Sequence, residues 1–470
     1  FVGGCLFALP IITEAAYQTI SGGSDVLDVG QSGIVGFVSG IDGLISGLGG
    51  LVGLSNISSI LYNIINSIED LPKLVATVAY TFGVIICIMG FIKLKEYGEN
   101  PASVKISEIV VRIATAGALF SLPSIYTATY ETINGSGGVG LFGIISGFLS
   151  TGNFLLSSYG ISGSTACNPS TLLSAPTIGQ SICGIVIHTG AFPAFLFALS
   201  YLFGVLLGFW GILKLRDHGL NPQQTPIFQG LSRLFAGGLF FALPVMIDVF
   251  KNTIISLGTS LTSITPVTGF NDGTFASIIA ALSAGTGCPS GVSLDGMLFC
   301  FAADILGPIH VVLNFFAYVA GAIFIMIGIS RMLKSEQDGA RGPAGLGTFV
   351  TFLIGGSLIA YNELIRAVTV TLTGEKVTAT KGVVQSLTGA EAASINAVIS
   401  SVIKFMIVIG LISFVRGLFI VRSVAEGNQQ ASVMAGMTHI IGGVLAVNLG
   451  PLINLVQNTL GLTSYGIAFS

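Results

Sequence analysis

Charged residues are scarce in this sequence. Asp, Glu, Lys and Arg together make up 8% of its 470 residues, against about 25% in an average soluble domain. Hydrophobic residues make up 52%, and the mean hydropathy is +0.89. This composition excludes a soluble globular chain and a disordered one, and leaves a polytopic membrane protein. Because the formal net charge is −3, there is no basic excess, and we expect no direct nucleic-acid binding.

Residue types that usually perform catalysis are also few. The histidines form neither an HExxH motif nor another pair at metal-ligand spacing, and no serine lies in a GxSxG nucleophile motif. We therefore expect no enzyme, no metal and no cofactor. The four histidines are His188, His218, His310 and His439.

The six cysteines are too few for a disulfide-rich scaffold, but four of them occur as pairs in connecting segments. Cys167 and Cys183 lie in one segment, and Cys288 and Cys300 lie in the next. This arrangement predicts two disulfides, Cys167–Cys183 and Cys288–Cys300, in an oxidising compartment. The alternative is four unpaired thiols.

An internal repeat organises the chain. Residues 80–123 align with residues 201–244 at a constant offset of 121, and 16 of the 44 positions are identical. A third copy begins at Tyr318, and a fourth, weaker copy follows it. Residues 4–10 match residues 117–123, so we expect segment 1–28 to be the tail of a further copy.

Each copy has the composition of two membrane-crossing helices. An apolar segment of about 20 residues, enough to cross a ~30 Å hydrocarbon layer, precedes a short polar turn and a second apolar segment. The sequence therefore predicts an all-α polytopic membrane protein made of tandem two-helix transmembrane hairpins. The nine predicted spans are 1–20, 74–95, 106–133, 190–214, 227–257, 309–333, 346–372, 400–422 and 432–460.

The predicted hairpin repeats alternate with connectors outside the membrane. The connector before the first complete repeat is rich in glycine, and the next two contain the cysteine pairs. The repeats are 74–137, 190–258, 308–373 and 399–470, and the connectors are 29–73, 138–189, 259–307 and 374–398.

The turns inside the hairpins are rich in Lys and Arg, which predicts their side of the membrane. Twelve of the 18 Lys and Arg lie in these turns or the adjoining helix ends. The positive-inside rule then places the turns in the cytoplasm and the connectors in the periplasm of a bacterial inner membrane. An Asn-Pro step ends the first helix of two copies and reverses the chain. The turn residues are Lys93, Lys95, Asn100, Pro101, Lys214, Arg216, Asn221 and Pro222.

Two glycines seven residues apart recur in the first helix of every complete copy. A residue without a side chain allows a second helix to approach closely, so these glycines predict helix contacts. They are Gly83 and Gly90, Gly204 and Gly211, Gly321 and Gly328, and Gly410 and Gly417.

A few charges fall within apolar segments, where they are costly and often functional. Arg112 and Arg233 occupy the same repeat position, about two turns into the second helix. Two explanations stay open: the side chains extend to the headgroups, or they contact lipid phosphates or another subunit. Asp304, Glu363 and Arg366 are further intramembrane charges, and the last two are spaced to pair with each other.

The repeat unit resembles a known family. Its pattern is Tyr-x-x-Gly-x6-Gly-x-x-Lys-Leu-Lys/Arg, then Gly-x-Asn-Pro, then a second helix with Arg, Gly and Pro. This pattern resembles the small inner-membrane proteins of type IVB secretion systems, the DotE/IcmC, DotP/IcmD and DotV group of the Dot/Icm apparatus and its conjugation relatives. The residues concerned are Gly90, Lys93, Lys95, Gly98, Asn100, Pro101 and Pro123, with Gly211, Lys214, Arg216, Gly219, Asn221, Pro222, Pro226 and Pro244.

The resemblance is best over residues 74–133 and 195–257 and weaker in the last two copies, where Asn-Pro is absent. Those family members are single short proteins, whereas this chain joins several hairpins. The resemblance implies a structural subunit of a secretion or conjugation machine, in contact with other membrane subunits and the bilayer, with a homo-oligomer and a pilin-like relation also open. The alternative function is a small-solute or ion channel or transporter.

Overall fold

The computed structural model of the chain describes residues 71–122, 178–189, 192–244, 294–333, 345–373, 382–384, 390–428, 430–462 and 466–469, with a few isolated positions. The predicted span 1–20 lies outside the described residues. The elements are α1 (Leu71–Glu99), α2 (Ile106–Phe120), α3 (Ile178–Thr189), α4 (Phe192–Leu220), α5 (Ile227–Phe241), α6 (Leu294–Arg331), α7 (Leu346–Ile359), α8 (Tyr361–Thr373), β1 (Gly382–Val384), α9 (Ala390–Ala425), α10 (Val433–Val447), α11 (Leu449–Thr459) and β2 (Ile467–Phe469).

Among the described residues, four helices are long and apolar enough to cross a membrane: α1, α4, α6 and α9. They contain 29, 29, 38 and 36 residues, which at 1.5 Å per residue is about 43 to 57 Å. Their exposed side chains include large apolar ones, and Trp210 is 61% exposed. Apolar surface of this extent is unfavourable in water and favourable in lipid. The chain is therefore a multi-pass membrane protein.

Helical structure extends into the segments predicted as connectors. α6 begins at Leu294, within connector 259–307, and α9 begins at Ala390, within connector 374–398. α3 lies wholly within connector 138–189. The first turns of α6 contain Leu and Met and those of α9 contain Ala, residues that favour helices. Parts of the predicted connectors are therefore helical, and their place outside the membrane stays a prediction.

The second apolar segment of each copy is not one continuous helix. α2, α5, α7 and α10 contain 14 or 15 residues, or about 22 Å, and each ends at a residue whose ψ lies between 1° and 29°. In the fourth copy α10 and α11 meet at an angle of 75°. The described residues contain four candidate spans, or five if that bent pair counts as one span, and the nine spans stay a prediction. The break residues are Ser121, Ala242, Ala360 and Asn448.

A proline follows the break residue in three of the four copies. Pro123 and Pro244 follow the break residue by two positions, and Pro451 follows it by three. A proline has no N–H to donate, and its ring displaces the carbonyl group four residues earlier. In the second copy the carbonyl that Pro244 leaves free, that of Phe240, accepts a hydrogen bond from the hydroxyl of Ser200 on α4. A neighbouring helix thus compensates the lost bond, as a span in lipid requires.

The chain divides into two compact units. The first contains α1, α2, α4 and α5. In its core Tyr80 packs on Phe120 with 5.6 Å between ring centroids, and Tyr201 packs on Phe241 at 4.7 Å. Tyr80 corresponds to Tyr201 and Phe120 to Phe241 at the repeat offset of 121, so the repeat in the sequence recurs in the packing.

The second unit contains α3, most of α6, α7 to α11 and the two strands. Its core is apolar and is formed by side chains of α6 to α10 and of β2. Among its buried side chains are Leu306, Phe324, Leu358, Ile407, Leu411 and Phe414.

A short antiparallel sheet departs from the all-α prediction. β1 pairs with β2, with Gly382 opposite Phe469 and Val384 opposite Ile467. β1 lies in the predicted connector 374–398. Each strand has three residues, and the two are far apart in the chain, so no local periodicity indicates their pairing.

Amide side chains of the helix beside β2 bind its backbone. The Asn454 amide donates to the Phe469 carbonyl at 2.8 Å and accepts from the Phe469 N–H at 3.1 Å. Gln457 makes the same two bonds with Ile467, at 3.0 and 2.8 Å. On the other strand, two N–H groups of β1 donate to side chains of α9. Side chains therefore take the place of a further strand at the edges of this sheet.

The four connector cysteines are only partly within the described residues. Cys300 lies on α6 and Cys183 lies on α3. Cys167 and Cys288 lie outside the described residues. The two disulfide pairings stay predictions.

Candidate functional site: the glycine contacts and the charged turns

Each of the eight glycines predicted to form helix contacts lies on the first helix of its copy and faces the second helix of the same copy. A Cβ atom built at Gly204 would lie 2.8 Å from the carbonyl oxygen of Gly237, and one at Gly410 would lie 2.6 Å from that of Gly443. Real Cβ atoms do not approach other heavy atoms this closely, so any larger residue would force the helices apart. These contacts join helices of the same chain.

Three of the four copies place glycine against glycine. The first copy has Ala116 instead of the second glycine. A Cβ at Gly83 would lie 3.2 Å from the Phe120 ring and 3.4 Å from the Ala116 carbonyl oxygen, so this contact is looser. With the Ala116 methyl group in this position, the atom nearest to the Cβ at Gly83 belongs to a side chain, whereas in the other three copies it belongs to a backbone carbonyl. The glycine pairs are Gly204–Gly237, Gly321–Gly355 and Gly410–Gly443.

This difference predicts a graded response to alanine. We expect Gly204→Ala to lower the free energy of unfolding by about 1–3 kcal/mol, since its methyl group meets a backbone carbonyl. We expect Gly83→Ala to change it by less than about 1 kcal/mol, because the Phe120 ring can rotate and alanine favours the helix. Unfolding midpoints of both variants in one detergent measure this. Equal midpoints would show that the two contacts are equally tight.

The two Asn-Pro turns share one hydrogen-bond pattern. The Asn100 N–H donates to the Glu96 carbonyl at 2.8 Å, and the Asn100 carbonyl accepts from the Ser103 N–H at 3.1 Å. Asn221 makes the equivalent two bonds at 2.8 and 3.2 Å. The proline after each asparagine cannot continue the helix, and its fixed φ suits the turn. The same residues thus build the same turn twice.

The basic residues of these turns pair with acidic neighbours. The paired side chains are partly or largely exposed to solvent, so each pair contributes about 1 kcal/mol or less. The acidic residues do not change the orientation argument, because Asp and Glu contribute little to the positive-inside rule. The side of the membrane stays a prediction. The pairs are Lys93–Glu96 at 2.6 Å, Lys95–Glu99 at 3.6 Å, Lys214–Asp217 at 3.9 Å and Arg216–Asp217 at 3.3 Å.

The two arginines of the second helices differ in their surroundings. An Nη2 hydrogen of Arg112 bonds Glu108 Oε1 at 2.5 Å, one turn earlier on α2. The i, i+4 spacing of these two residues is the signal in the sequence that identifies the pair. At the equivalent position before Arg233 the chain has Gln229, and Arg233 makes no ion pair with a described residue.

The interior of the second unit contains buried polar side chains, among them His310, to which the sequence pointed, and Lys404, to which it did not. Lys404 is 2% exposed, and its Nζ lies 3.7 Å from the centre of the Phe299 ring. Its helix begins at Ala390, so Lys404 lies nearly four turns inside α9. The sequence predicts a span that begins at residue 400, which would place Lys404 near the end of its helix. His310 is buried as well, with its ring 6.0 Å from that of Tyr361.

Asn448 connects the break of the fourth copy to the third. It is buried between α10 and α11, and its amide donates to Thr369 Oγ1 and to the Val444 carbonyl, both at 2.9 Å. Thr369 lies on α8. A hydrogen bond between side chains in an apolar interior favours one arrangement of the helices over others.

Asp304, predicted as an intramembrane charge, acts at a helix end. Its Oδ2 accepts a hydrogen bond from the Gly179 N–H at 2.8 Å, in the first turn of α3. A carboxylate there satisfies an otherwise unpaired N–H group and interacts favourably with the helix dipole. The side chains of Glu363 and Arg366 lie outside the described residues.

No family model matches the chain, and no curated protein and no solved structure matches it either.

Proposed function

We propose that the chain is a structural inner-membrane subunit of a type IVB-like secretion or conjugation apparatus, in which its helix pairs form a scaffold or channel wall. The observation that carries the proposal is the recurrence of one close glycine contact in all four copies. An array of equivalent units needs one packing arrangement that can be repeated along the chain. The resemblance of the first two copies to the small Dot/Icm proteins points to the same class.

In this proposal the charged turns face the cytoplasm and the connectors face the periplasm. The exposed apolar faces of the long helices contact lipid, other membrane subunits or a second copy of the chain. The chain acts by packing and has no catalytic role. The predicted disulfides would strengthen the periplasmic segments, and mass spectrometry of non-reduced peptides tests both pairings.

Affinity purification from gently cross-linked native membranes tests the proposal. We expect a secretion ATPase, a coupling protein or other envelope-spanning components to co-purify. Gly211→Leu should lose these partners while still inserting into the membrane, because a Cβ at Gly211 would lie 2.9 Å from the Leu234 side chain. Gly98→Leu is the control, because a Cβ there meets nothing within 4 Å. Recovery of the chain without such components would refute the proposal.

A second function, a small-solute or ion channel or transporter, is favoured by the broken second helices and the buried Lys404. Discontinuous helices and buried charges near the centre of a bundle are features of transporters. Uptake into proteoliposomes that depends on the chain and is lost in Lys404→Met would support this function. Uptake equal to that of empty vesicles would exclude it for the solutes tried.

A further inference from the structure

A cavity of about 500 Å³ lies between the two copies of the first unit. This volume falls within the roughly 300–1,000 Å³ of typical ligand pockets. The walls come from α2, α4 and α5 and are almost entirely apolar. They include Val111, Thr115, Leu122, Ile212, Arg216 and Gly238.

The cavity has the length of one lipid leaflet. Its wall on the second helix of the first copy runs from Val111 to Leu122, which is about 16 Å at 1.5 Å per residue, close to half of a ~30 Å hydrocarbon layer. Arg216 lies at the Val111 end, because a Cβ at Gly219, one turn further along α4, would lie 2.7 Å from the Val111 side chain. The cavity therefore has one cationic end, beside the charged turns, and an apolar remainder.

Arg216 retains hydrogen-bond donors for a ligand. The Nη2 atom of its guanidinium lies 3.3 Å from Asp217 Oδ1. Its Nε is buried and has no hydrogen-bond partner among the described residues. A guanidinium has five N–H donors and binds phosphate through two of them at once. The single ion pair with Asp217 leaves most of these donors unused.

We propose that this cavity binds one acyl chain of an anionic phospholipid, with the lipid phosphate on Arg216. The apolar walls match the chain, the cationic end matches the headgroup in charge, and the helices that form the walls belong to a multi-pass membrane protein. A phospholipid in this position would fill the space between the two copies. Binding of this lipid does not require the chain to be part of a secretion or conjugation apparatus.

The repeat supplies a matched pair of variants. Gly238 and Gly117 occupy the same repeat position, and a Cβ at either meets nothing within 4 Å. Gly238 lines the cavity and Gly117 does not. Gly238→Leu therefore fills the cavity without a backbone clash, and Gly117→Leu makes the same change elsewhere. Equal unfolding midpoints of the two variants in detergent confirm that both fold.

The probe is a phosphatidylglycerol with a photoreactive group in one acyl chain, diluted in phosphatidylcholine vesicles that contain the full chain. We expect cross-links to peptides of α2 and α5, reduced about tenfold in Gly238→Leu and unchanged in Gly117→Leu. Arg216→Gln should reduce labelling about tenfold, which is the loss of affinity expected when one charge-assisted hydrogen bond to the phosphate is removed. Lys95→Gln, at the equivalent position of the first turn, should not.

Three results would overturn the proposal. The first is undiminished labelling of Gly238→Leu or Arg216→Gln. The second is equally strong labelling by a phosphatidylcholine probe, which would show that Arg216 does not select the headgroup. The third is displacement of the probe by inorganic phosphate alone, which would identify a site for free anions.

Discussion

Leucine in place of Gly443 separates α9 from α10, whereas leucine in place of its neighbour Gly442 leaves them packed. A Cβ at Gly443 would lie 2.6 Å from the Gly410 carbonyl oxygen and 2.7 Å from the Phe414 nitrogen. Both are backbone atoms of α9, so only a shift of a whole helix relieves the clash. A Cβ at Gly442 meets nothing within 4 Å, and this residue is exposed. We expect Gly443→Leu to lower the free energy of unfolding by about 3 kcal/mol or more.

Thermal unfolding of both variants in the same detergent measures this difference. Extraction of membranes at high pH shows whether each variant still inserts, as we expect for both, because neither substitution reduces hydropathy. The midpoint of Gly442→Leu should lie within a few degrees of wild type. If the two midpoints are equal, the close contact does not stabilise the helix pair.

The double substitution of Asn454 and Gln457 by leucine releases β2. It removes both amides that bind the backbone of this strand, and leaves the N–H and carbonyl groups of Phe469 and Ile467 without these partners. Each unsatisfied buried group costs about 1–3 kcal/mol, which is more than a three-residue pairing supplies.

Hydrogen exchange of residues 466–469 measures the release. We expect the amides of Ile467 and Phe469 to exchange at least about a hundredfold faster in the double variant, since about 2.7 kcal/mol corresponds to that factor. Asn458→Leu is the control, because Asn458 is exposed one residue further along α11. Unchanged protection in the double variant would show that the pairing with β1 alone holds the strand.

The sequence was most informative where a feature recurs. The spacing of Gly204 and Gly211 recurs in every copy, and the structure places all eight such glycines at helix contacts. The Asn-Pro turns could be recognised in the same way, because Pro101 and Pro222 stop a helix through their own covalent structure. Such features depend on a few neighbouring residues.

Features that depend on distant residues could not be read from the sequence. Hydropathy does not separate a continuous span from one broken at Ser121 or Asn448, because the residues after the break are apolar too. The burial of Lys404 depends on where α9 begins, and composition alone does not set that boundary. The sheet joins strands far apart in the chain and depends on the amides of Asn454 and Gln457, which on a helix are otherwise typical surface residues.

The side of the membrane on which each turn lies is the most direct test of the proposed array. We propose that every helix pair has the same orientation across the membrane. Ala102→Cys and Gln223→Cys place a thiol at the same exposed position of the first two turns, Gln430→Cys marks the fourth turn, and Val383→Cys marks a connector. A membrane-impermeant maleimide is added to each face in turn, and mass spectrometry identifies the labelled peptide, which separates these thiols from the native ones.

We expect all three turn positions to be labelled from the cytoplasmic face and Val383→Cys from the opposite face. Labelling of the turns from opposite faces would contradict the parallel array. It would show instead that the helix pairs are inverted relative to one another, the arrangement expected of a transporter.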